Sequence, residues 1–419
     1  MNRIVVWFRN DLRLSDNKAL WHACQEADEI IPFYCFDDRF YGQFPWGLPK
    51  TGSFRAQFII ESVADLHRQL AEKKVHLQIH QGNTTKALEQ LKHQFDFDTI
   101  YCAEEVSAEE LELEQAIEAA GFRLKRFWNY SLYAKEALPF EIEQMPDVFT
   151  PFRKKMEKYA EIEAALPIPN TIKTPKELGP CTLPSLEDLG LEKVARDPRT
   201  VLNFKGGSEQ AWQRLKDYFW ENDRLKDYKK TRNGMLGEGY SSKFSPCLAT
   251  GSISPREIYW EIKNYEAERV KNSSTYWLYF ELMWRDFFRF TALKEGNHFF
   301  RIPKNPTYKK LPQFEAWRLG ETGQDFVDAN MKELLLTGFM SNRGRQNVAS
   351  YLVHDLKLPW YLGATWFESQ LVDYDVCSNY GNWTYVAGIG HDPRPDRYFN
   401  VVGQAERYDS DYGYRGNWL

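Results

Sequence analysis

Ile4-Val-Val-Trp-Phe8 opens the chain with five apolar residues, β-branched or aromatic, ahead of the polar run Arg9-Asn-Asp-Leu-Arg13. A short, wholly apolar run suits a strand covered on both faces. The segments that follow alternate in kind. Asp16 is placed to cap a helix through Ala27. Ile30-Ile-Pro-Phe-Tyr-Cys-Phe36 is the next strand candidate. Phe54 to Lys73 carries Phe58, Ile59, Val63, Leu66 and Leu70 at helical spacing, with Ser53 as its cap. Val75 to Ile79 alternates and Gly82 ends it. Thr84 to Gln94 reads as helix, Thr99 to Cys102 as strand, Ala108 to Ala120 as helix and Arg123 to Trp128 as a fifth strand. Strand and helix in turn over residues 1–130 predict a parallel, doubly wound α/β sheet.

This first domain, set at residues 1–135, holds neither G-x-G-x-x-G nor G-x-x-x-x-G-K-[ST], so a dinucleotide or P-loop reading lacks its signature. Ligands of such sheets sit at the strand C-terminal ends. Arg9, Asn10, Asp37, Asp38, Glu104 and Glu105 stand there, and each reads first as a solvated loop residue. Residues 136–203 are rich in Pro, Thr and acidic groups, a linker composition with one helix around Phe152 to Glu163. From Phe204 the pattern is helical, at Gln210–Phe219, Ser254–Arg269, Thr275–Lys294, Phe326–Thr337 and Arg343–His354. Residues 204–419 therefore form a large, mostly α-helical domain.

With 43% apolar and 27% charged residues, the 419-residue chain is an ordinary soluble protein of two or three domains. Its net charge of −5 argues against a surface that coats nucleic acid everywhere, but leaves room for a local basic groove. The 14 Trp point to aromatic-lined sites as well as core. The six Cys form no C-x-x-C pair and have no metal-like spacing to His, so reduced thiols, a cytoplasmic location and no metal centre are expected. No stretch resembles a signal peptide or a membrane span.

Several polar stretches are poor core material. Asp373-Tyr-Asp-Val-Cys-Ser-Asn379-Tyr-Gly-Asn-Trp383-Thr-Tyr385 is either a polar helix end or a site. Its two carboxylates suit a metal pair, an acid–base pair, or acceptors for a heteroaromatic ring. Ser241-Ser-Lys-Phe-Ser245 precedes Pro246 and offers hydroxyls and N–H groups to a phosphate, or is a plain Ser-rich loop. Arg224 to Arg232 carries five basic residues around Tyr228, either a solvated face or a phosphate-contacting edge. Trp277, Glu281, Trp284, Arg285 and Phe288 share one helix face, where a Glu and an Arg sit oddly in an aromatic stripe. Ser341-Asn-Arg-Gly-Arg-Gln346 is a polar cap or a phosphate clamp.

Together with Trp7-Phe-Arg-Asn-Asp-Leu-Arg13, Thr150-Pro-Phe-Arg153, Thr231-Arg-Asn-Gly-Met235 and Thr337 to Gln346, these stretches resemble the photolyase/cryptochrome flavoproteins, and within them the cryptochrome DASH branch. The resemblance spans nearly the whole chain. It implies FAD in the helical domain, with Tyr228, Ser241, Ser242, Lys243, Phe244 and Ser245 around its phosphates and ribityl chain. Arg285, Asp373, Tyr374 and Asp375 would lie along the flavin and ribose, and Asn379 would face flavin N5. A reduced folate, 5,10-methenyltetrahydrofolate, would be the antenna, with Glu105 as its contact.

The implied activity is blue-light repair of cyclobutane pyrimidine dimers flipped out of DNA by a monomeric protein. Glu281 would hydrogen-bond the pyrimidines and Trp284 would stack on them. Arg232, Asn342, Arg343 and Arg345 would meet the strand. Gln346 and Tyr385 stand where DNA photolyases have Met and a second Trp. They make the pocket more polar and its stacking weaker, so single-stranded DNA is the expected substrate. Trp383 and Trp360 match two members of a photoreduction chain whose distal member falls at Tyr308, at Trp317, or nowhere. The alternative is a blue-light photoreceptor acting through flavin redox state on a protein or nucleic-acid partner. The short run after Trp418 sets an expectation against a tail-mediated switch.

Overall fold

Five parallel strands, β1 (Arg3–Trp7), β2 (Glu29–Asp37), β3 (Gln78–Gly82), β4 (Thr99–Ala103) and β5 (Arg123–Phe127), form one sheet in the order β3-β2-β1-β4-β5. The computed structural model describes residues 1–44, 47–301, 303, 311–391 and 398–419. Val5 of β1 faces Ile31 on one side and Ile100 on the other, so the first strand lies at the centre. Side chains alternate across it. Ile4 and Val6 pack with Leu20 of the Lys18–Glu26 helix and Leu66 of the Ser53–Glu72 helix. Val5 and Trp7 pack with Leu88 of the Thr84–Phe95 helix and Leu113 of the Ala108–Ala119 helix. The strand order reverses between β1 and β4, which leaves a crevice at their C-terminal ends.

Three local expectations shift. Asn17, not Asp16, caps the first helix, accepting from Leu20 N–H. Asp16 sits in the left-handed region with φ 48° and is buried against Arg256. The Ser53–Glu72 helix starts from Gly52 with no side-chain cap. A Cβ on Gly52 would lie 2.5 Å from the Ser369 carbonyl oxygen, so close approach of the backbone takes the place of a cap. The third strand falls at Gln78–Gly82 rather than Val75–Ile79, with Val75 and Leu77 buried just before it.

The helix expected around Phe152 to Glu163 spans Phe149–Tyr159. No helix or strand lies between Tyr159 and Ser208, but the segment is held to the sheet domain. Asp16 N–H donates to Leu166 O and Ile30 N–H to Lys173 O, each at 2.7 Å. Beyond it, helices Ser208–Lys216, Pro255–Glu268, Ser273–Glu295, Asp325–Thr337, Asn342–Ser350, Trp360–Gln370 and Val376–Val386 build the second layer system. Two of these continue as π turns, Asp217–Glu221 and Tyr351–Asp355. That is why the sequence periodicity runs past their α-helical ends.

The sheet's C-terminal edge is locked to the helical part. Arg256 meets both oxygens of Asp16 at 2.9 Å, with both side chains at most 2% exposed. Arg13 donates to Gly251 O at 2.9 Å. Gly251 has φ +65°, and a Cβ there would be 2.0 Å from Asn10 O. Asp286 accepts from the N–H groups of Leu132 and Tyr133, both at 2.9 Å. These contacts aim the Ser273–Glu295 helix across the crevice. No helix is long and apolar enough to cross a membrane among the described residues.

Candidate active site

The Val376–Val386 helix begins at Asp375, whose carboxylate accepts from Ser378 N–H at 2.8 Å. Burial alone would raise this carboxyl's pKa, but Arg285, Arg289 and the Ser378 N–H outweigh it and hold it below the usual carboxylate range. Arg285 lies 3.8 Å from Asp375 and spends its other donors on Leu248 O (3.1 Å) and Tyr130 O. Asp373, two residues earlier, is paired with Arg345 at 2.9 Å. Arg345 thus serves the carboxylate wall rather than standing open to a DNA strand. Asn379 donates from Nδ2 to Ala364 O at 3.0 Å, which fixes its amide. Its carboxamide lines one cavity with Arg345, Asp373, Asp375, Trp383 and Tyr385.

The serine loop differs from a simple phosphate nest. Ser241 and Lys243 both have positive φ, 54° and 56°. Lys243 turns inward, donating to Glu238 O at 3.2 Å and to Tyr240 O, with its nitrogen 3.5 Å from the Tyr240 ring centroid. Burial pushes its amine down to about 6. It ties the loop together instead of offering a cation to a phosphate. Phe244 is buried among Tyr218 and Phe219. Ser242 is buried too, its carbonyl held by Arg214 at 3.1 Å, while Ser245 is exposed. Tyr228 is buried, and burial raises its hydroxyl pKa.

Along the Ser273–Glu295 helix, Glu281 accepts from Arg232 at 2.5 Å and from Trp277 Nε1 at 3.1 Å. Trp284, three residues on, stacks on Phe149 with centroids 3.8 Å apart and planes 12° apart. Tyr385 approaches it edge-on at 6.0 Å. Arg343 donates to Gln346 Oε1 at 2.8 Å and to Asn233 Oδ1 at 3.1 Å, and lies 4.6 Å from the Tyr408 ring centroid. Asn342 is exposed beside it. Helix periodicity brings Glu281 and Trp284 together. The partners Phe149, Asn233 and Tyr408 come from elements remote in the chain, and no sequence spacing points to them.

Trp383 is 2% exposed, with Phe367 at 5.1 Å and Trp317 at 6.3 Å, both edge-on. Trp317 is wholly buried and donates to Val348 O at 3.0 Å. Trp360 meets Tyr361 and Tyr380, each at 6.2 Å. Tyr308 lies outside the described residues.

A second cavity, about 1010 Å³, fills the crevice at the sheet's strand ends. Glu105 lines it but is paired with Arg289 at 2.6 Å, both nearly sealed from solvent. Glu110 is pushed up to about 7, by burial and then by Glu105. Arg9 Nη2, Tyr130 Oη and Arg289 Nε are buried there without hydrogen-bond partners. Arg289 went unnoticed in the sequence although it lies one turn from Arg285, a second cation in an aromatic helix.

The donor set fits a flavin. Two carboxylates, a fixed carboxamide and a paired guanidinium along one wall can meet the alternating donors and acceptors of a heteroaromatic ring system. The orphaned donors of the crevice likewise fit a polar aromatic group. Among the described residues no group of His, Cys, Asp and Glu could hold a metal ion.

The family described as FAD binding domain of DNA photolyase matches residues 277–419, and DNA photolyase matches residues 4–172. Cryptochrome DASH of Gloeobacter violaceus is 46% identical over 99% of this chain and 85% of its own. The crystal structure of a Synechocystis cryptochrome superposes with a TM-score of 0.93 at 47% identity, covering 100% of this chain and 89% of that one. A bacterial class III photolyase from Agrobacterium tumefaciens gives 0.82 at 28% identity, over 100% of this chain and 86% of that one. An FAD-binding domain, a sheet domain of matching topology and full-length likeness at this level agree: the chain belongs to the photolyase/cryptochrome family, in its cryptochrome DASH branch.

Proposed function

We propose that the protein repairs cyclobutane pyrimidine dimers in blue light and acts mainly on single-stranded DNA. The observation that carries this reading is the pairing on one helix of a half-buried carboxylate, Glu281, with a half-buried indole, Trp284. Cations line their rim at Arg232 and Arg343. When bound and reduced, FAD supplies the light-excited electron that opens the cyclobutane ring and takes it back afterwards. The chain does the rest. Asp373, Tyr374, Asp375, Arg285 and Asn379 orient the cofactor, with Tyr228 and Ser241 to Ser245 beside its phosphates. Glu281 accepts hydrogen bonds from the flipped bases. Trp284, its far side already covered by Phe149, gives them a flat surface. Glu105 and Arg289 line the crevice where a folate antenna would sit.

Single-strand preference follows from the pocket's second wall. Gln346 is half-buried and already accepts from Arg343, and Tyr385 offers Trp284 its edge. Both give a flipped dimer less apolar stacking than Met and Trp would. Unpairing costs a few kcal/mol in duplex DNA and less in a single strand. The test is blue-light repair of one thymine dimer in a short oligonucleotide by the chemically reduced protein, single-stranded and then annealed. Repair of the single strand well above the duplex is expected. Equal rates overturn the preference, and no repair of either overturns the lyase. The name cryptochrome borne by the relatives favours a second reading, a blue-light receptor. That reading predicts light-dependent flavin reduction without repair.

A further inference from the structure

Two donors converge on a single oxygen of Glu281. Arg232 Nη1 and Trp277 Nε1 both reach Oε1, at 2.5 and 3.1 Å. The Trp277 ring also carries two cations, Lys229 Nζ at 4.4 Å and Arg232 Cζ at 5.4 Å from its centroid. Phe280 backs it at 4.7 Å and 28°. Arg232 stands at the end of the basic edge that begins at Arg224. A guanidinium binds a carboxylate and a phosphate with the same fork of N–H groups. Its Nη1 is held by Glu281, so a phosphate has to compete with that carboxylate for the same cation.

We propose that Glu281 holds Arg232 as an internal substitute for a DNA phosphate, and that only a base entering the pocket releases it. This rests on the lyase reading and names how that site would tell a damaged strand from an intact one. An intact strand stays outside the pocket. Turning Arg232 to its phosphate would leave the half-buried Glu281 charge with Trp277 alone. Burial pushes this carboxyl's pKa up, while Arg232 and the Trp277 N–H oppose that push, so losing Arg232 is unfavourable. A flipped pyrimidine brings its own N–H donor to Glu281. The carboxylate stays satisfied, and Arg232 turns to the phosphate.

Trp277 makes the exchange possible. Its N–H keeps Oε1 in place while Arg232 leaves, and its ring keeps Lys229 at the strand. It is a positioning residue. Arg343, across the mouth on the Asn342–Ser350 helix, repels Arg232, and Tyr228 lies near Glu281.

The test is binding of an undamaged single-stranded oligonucleotide to the FAD-loaded protein in the dark, at several salt concentrations. E281Q removes the competing charge and keeps the shape. It should bind the undamaged strand about two- to fivefold tighter, the size of a partly exposed ion pair. The slope of log K against log salt should steepen by about 0.7, one more phosphate neutralised on a single strand. R232Q/E281Q should lose both gains, and R232Q should cost less affinity in the wild-type background than in E281Q. W277F, which removes the N–H that holds Oε1, should weaken the preference for the dimer-bearing strand over the undamaged one. Equal affinity and slope for wild type and E281Q overturn the exchange, as does a loss on R232Q that is the same in both backgrounds. The lyase reading fails separately, through absent repair, and leaves the E281Q gain intact.

Discussion

Arg345 holds Asp373 with one terminal nitrogen shared between both carboxylate oxygens, at 2.9 and 3.0 Å, while its Nε donates to Met340 O at 2.9 Å. The carboxylate is 1% exposed. The pair fastens the Asn342–Ser350 helix to the turn before Asp375, so it shapes the wall on which Asn379 stands. Removing one partner leaves a buried charge uncompensated, at roughly 3–5 kcal/mol. R345M should lower the urea midpoint accordingly and release flavin, read as flavin absorbance per mole of protein. D373N, which keeps an acceptor, should lose less of both. Full flavin retention in R345M would falsify this role.

Asp16 and Arg256 carry the corresponding load between the two domains. Their pair is sealed, and it replaces the helix cap that the sequence suggested for Asp16. D16N should cost about 3 kcal/mol and separate the unfolding of the sheet domain from that of the helical domain. D16N/R256M, which removes the stranded guanidinium and keeps a side chain that tolerates φ 48° and still accepts from Leu166 N–H, should recover most of the loss. Unfolding followed by circular dichroism, which reports the whole chain, and by flavin release, which reports the helical domain alone, checks both statements.

The fold was legible wherever periodicity is local. The five strands of the sheet domain and the long Ser273–Glu295 helix read directly from apolar spacing, and β3 slipped because Val75 and Leu77 are as buried as the strand itself. The site was legible as residue types and not as partnerships. Arg345 looked like a DNA contact because Ser341 to Gln346 is basic. Its true neighbour, Asp373, lies 28 positions on, a separation that only tertiary packing closes. Ser241 to Ser245 read as hydroxyls and N–H groups beside a phosphate, and the spacing gives no sign that Lys243, at φ +56°, turns inward onto Glu238 O and Tyr240 O.

Lys243 and Glu333 form a second buried set, and their titrations oppose each other. Burial pushes Glu333 up to about 8, against its Tyr414 hydroxyl partner at 2.6 Å, and pushes Lys243 down to about 6. A raised carboxyl contributes stability that is complete below pH 4.5 and is lost as pH rises through about 8. For the lysine, the folded state is neutral above about 6 while the unfolded chain stays protonated to about 10.5, so stability rises with pH over that range. Between pH 6 and 8 the two slopes nearly cancel. E333Q should therefore gain on wild type as pH rises, by about 2 kcal/mol across that window, and K243M should show the reverse. Unfolding at pH 6, 7 and 8 measures it, and parallel curves for E333Q and wild type contradict it.

Gly363 sets the position of Trp383. A Cβ on Gly363 would lie 2.1 Å from the indole Cη2, and Phe367 and Trp317 close the other sides. The indole cannot yield without moving a packed neighbour, so G363A should cost roughly 1–3 kcal/mol. It should also slow the light-driven reduction of oxidised flavin by an external thiol, because the donor nearest the carboxamide wall is displaced. W383F should abolish that reduction. Two indoles are candidates for the next step. Trp317 touches Trp383 directly but is wholly buried, whereas Trp360 is half-buried against Tyr361 and Tyr380. An electron hole must reach solvent to be refilled, so the half-buried indole is the better exit. W360F should therefore suppress photoreduction more than W317F, and the opposite order assigns the route to Trp317.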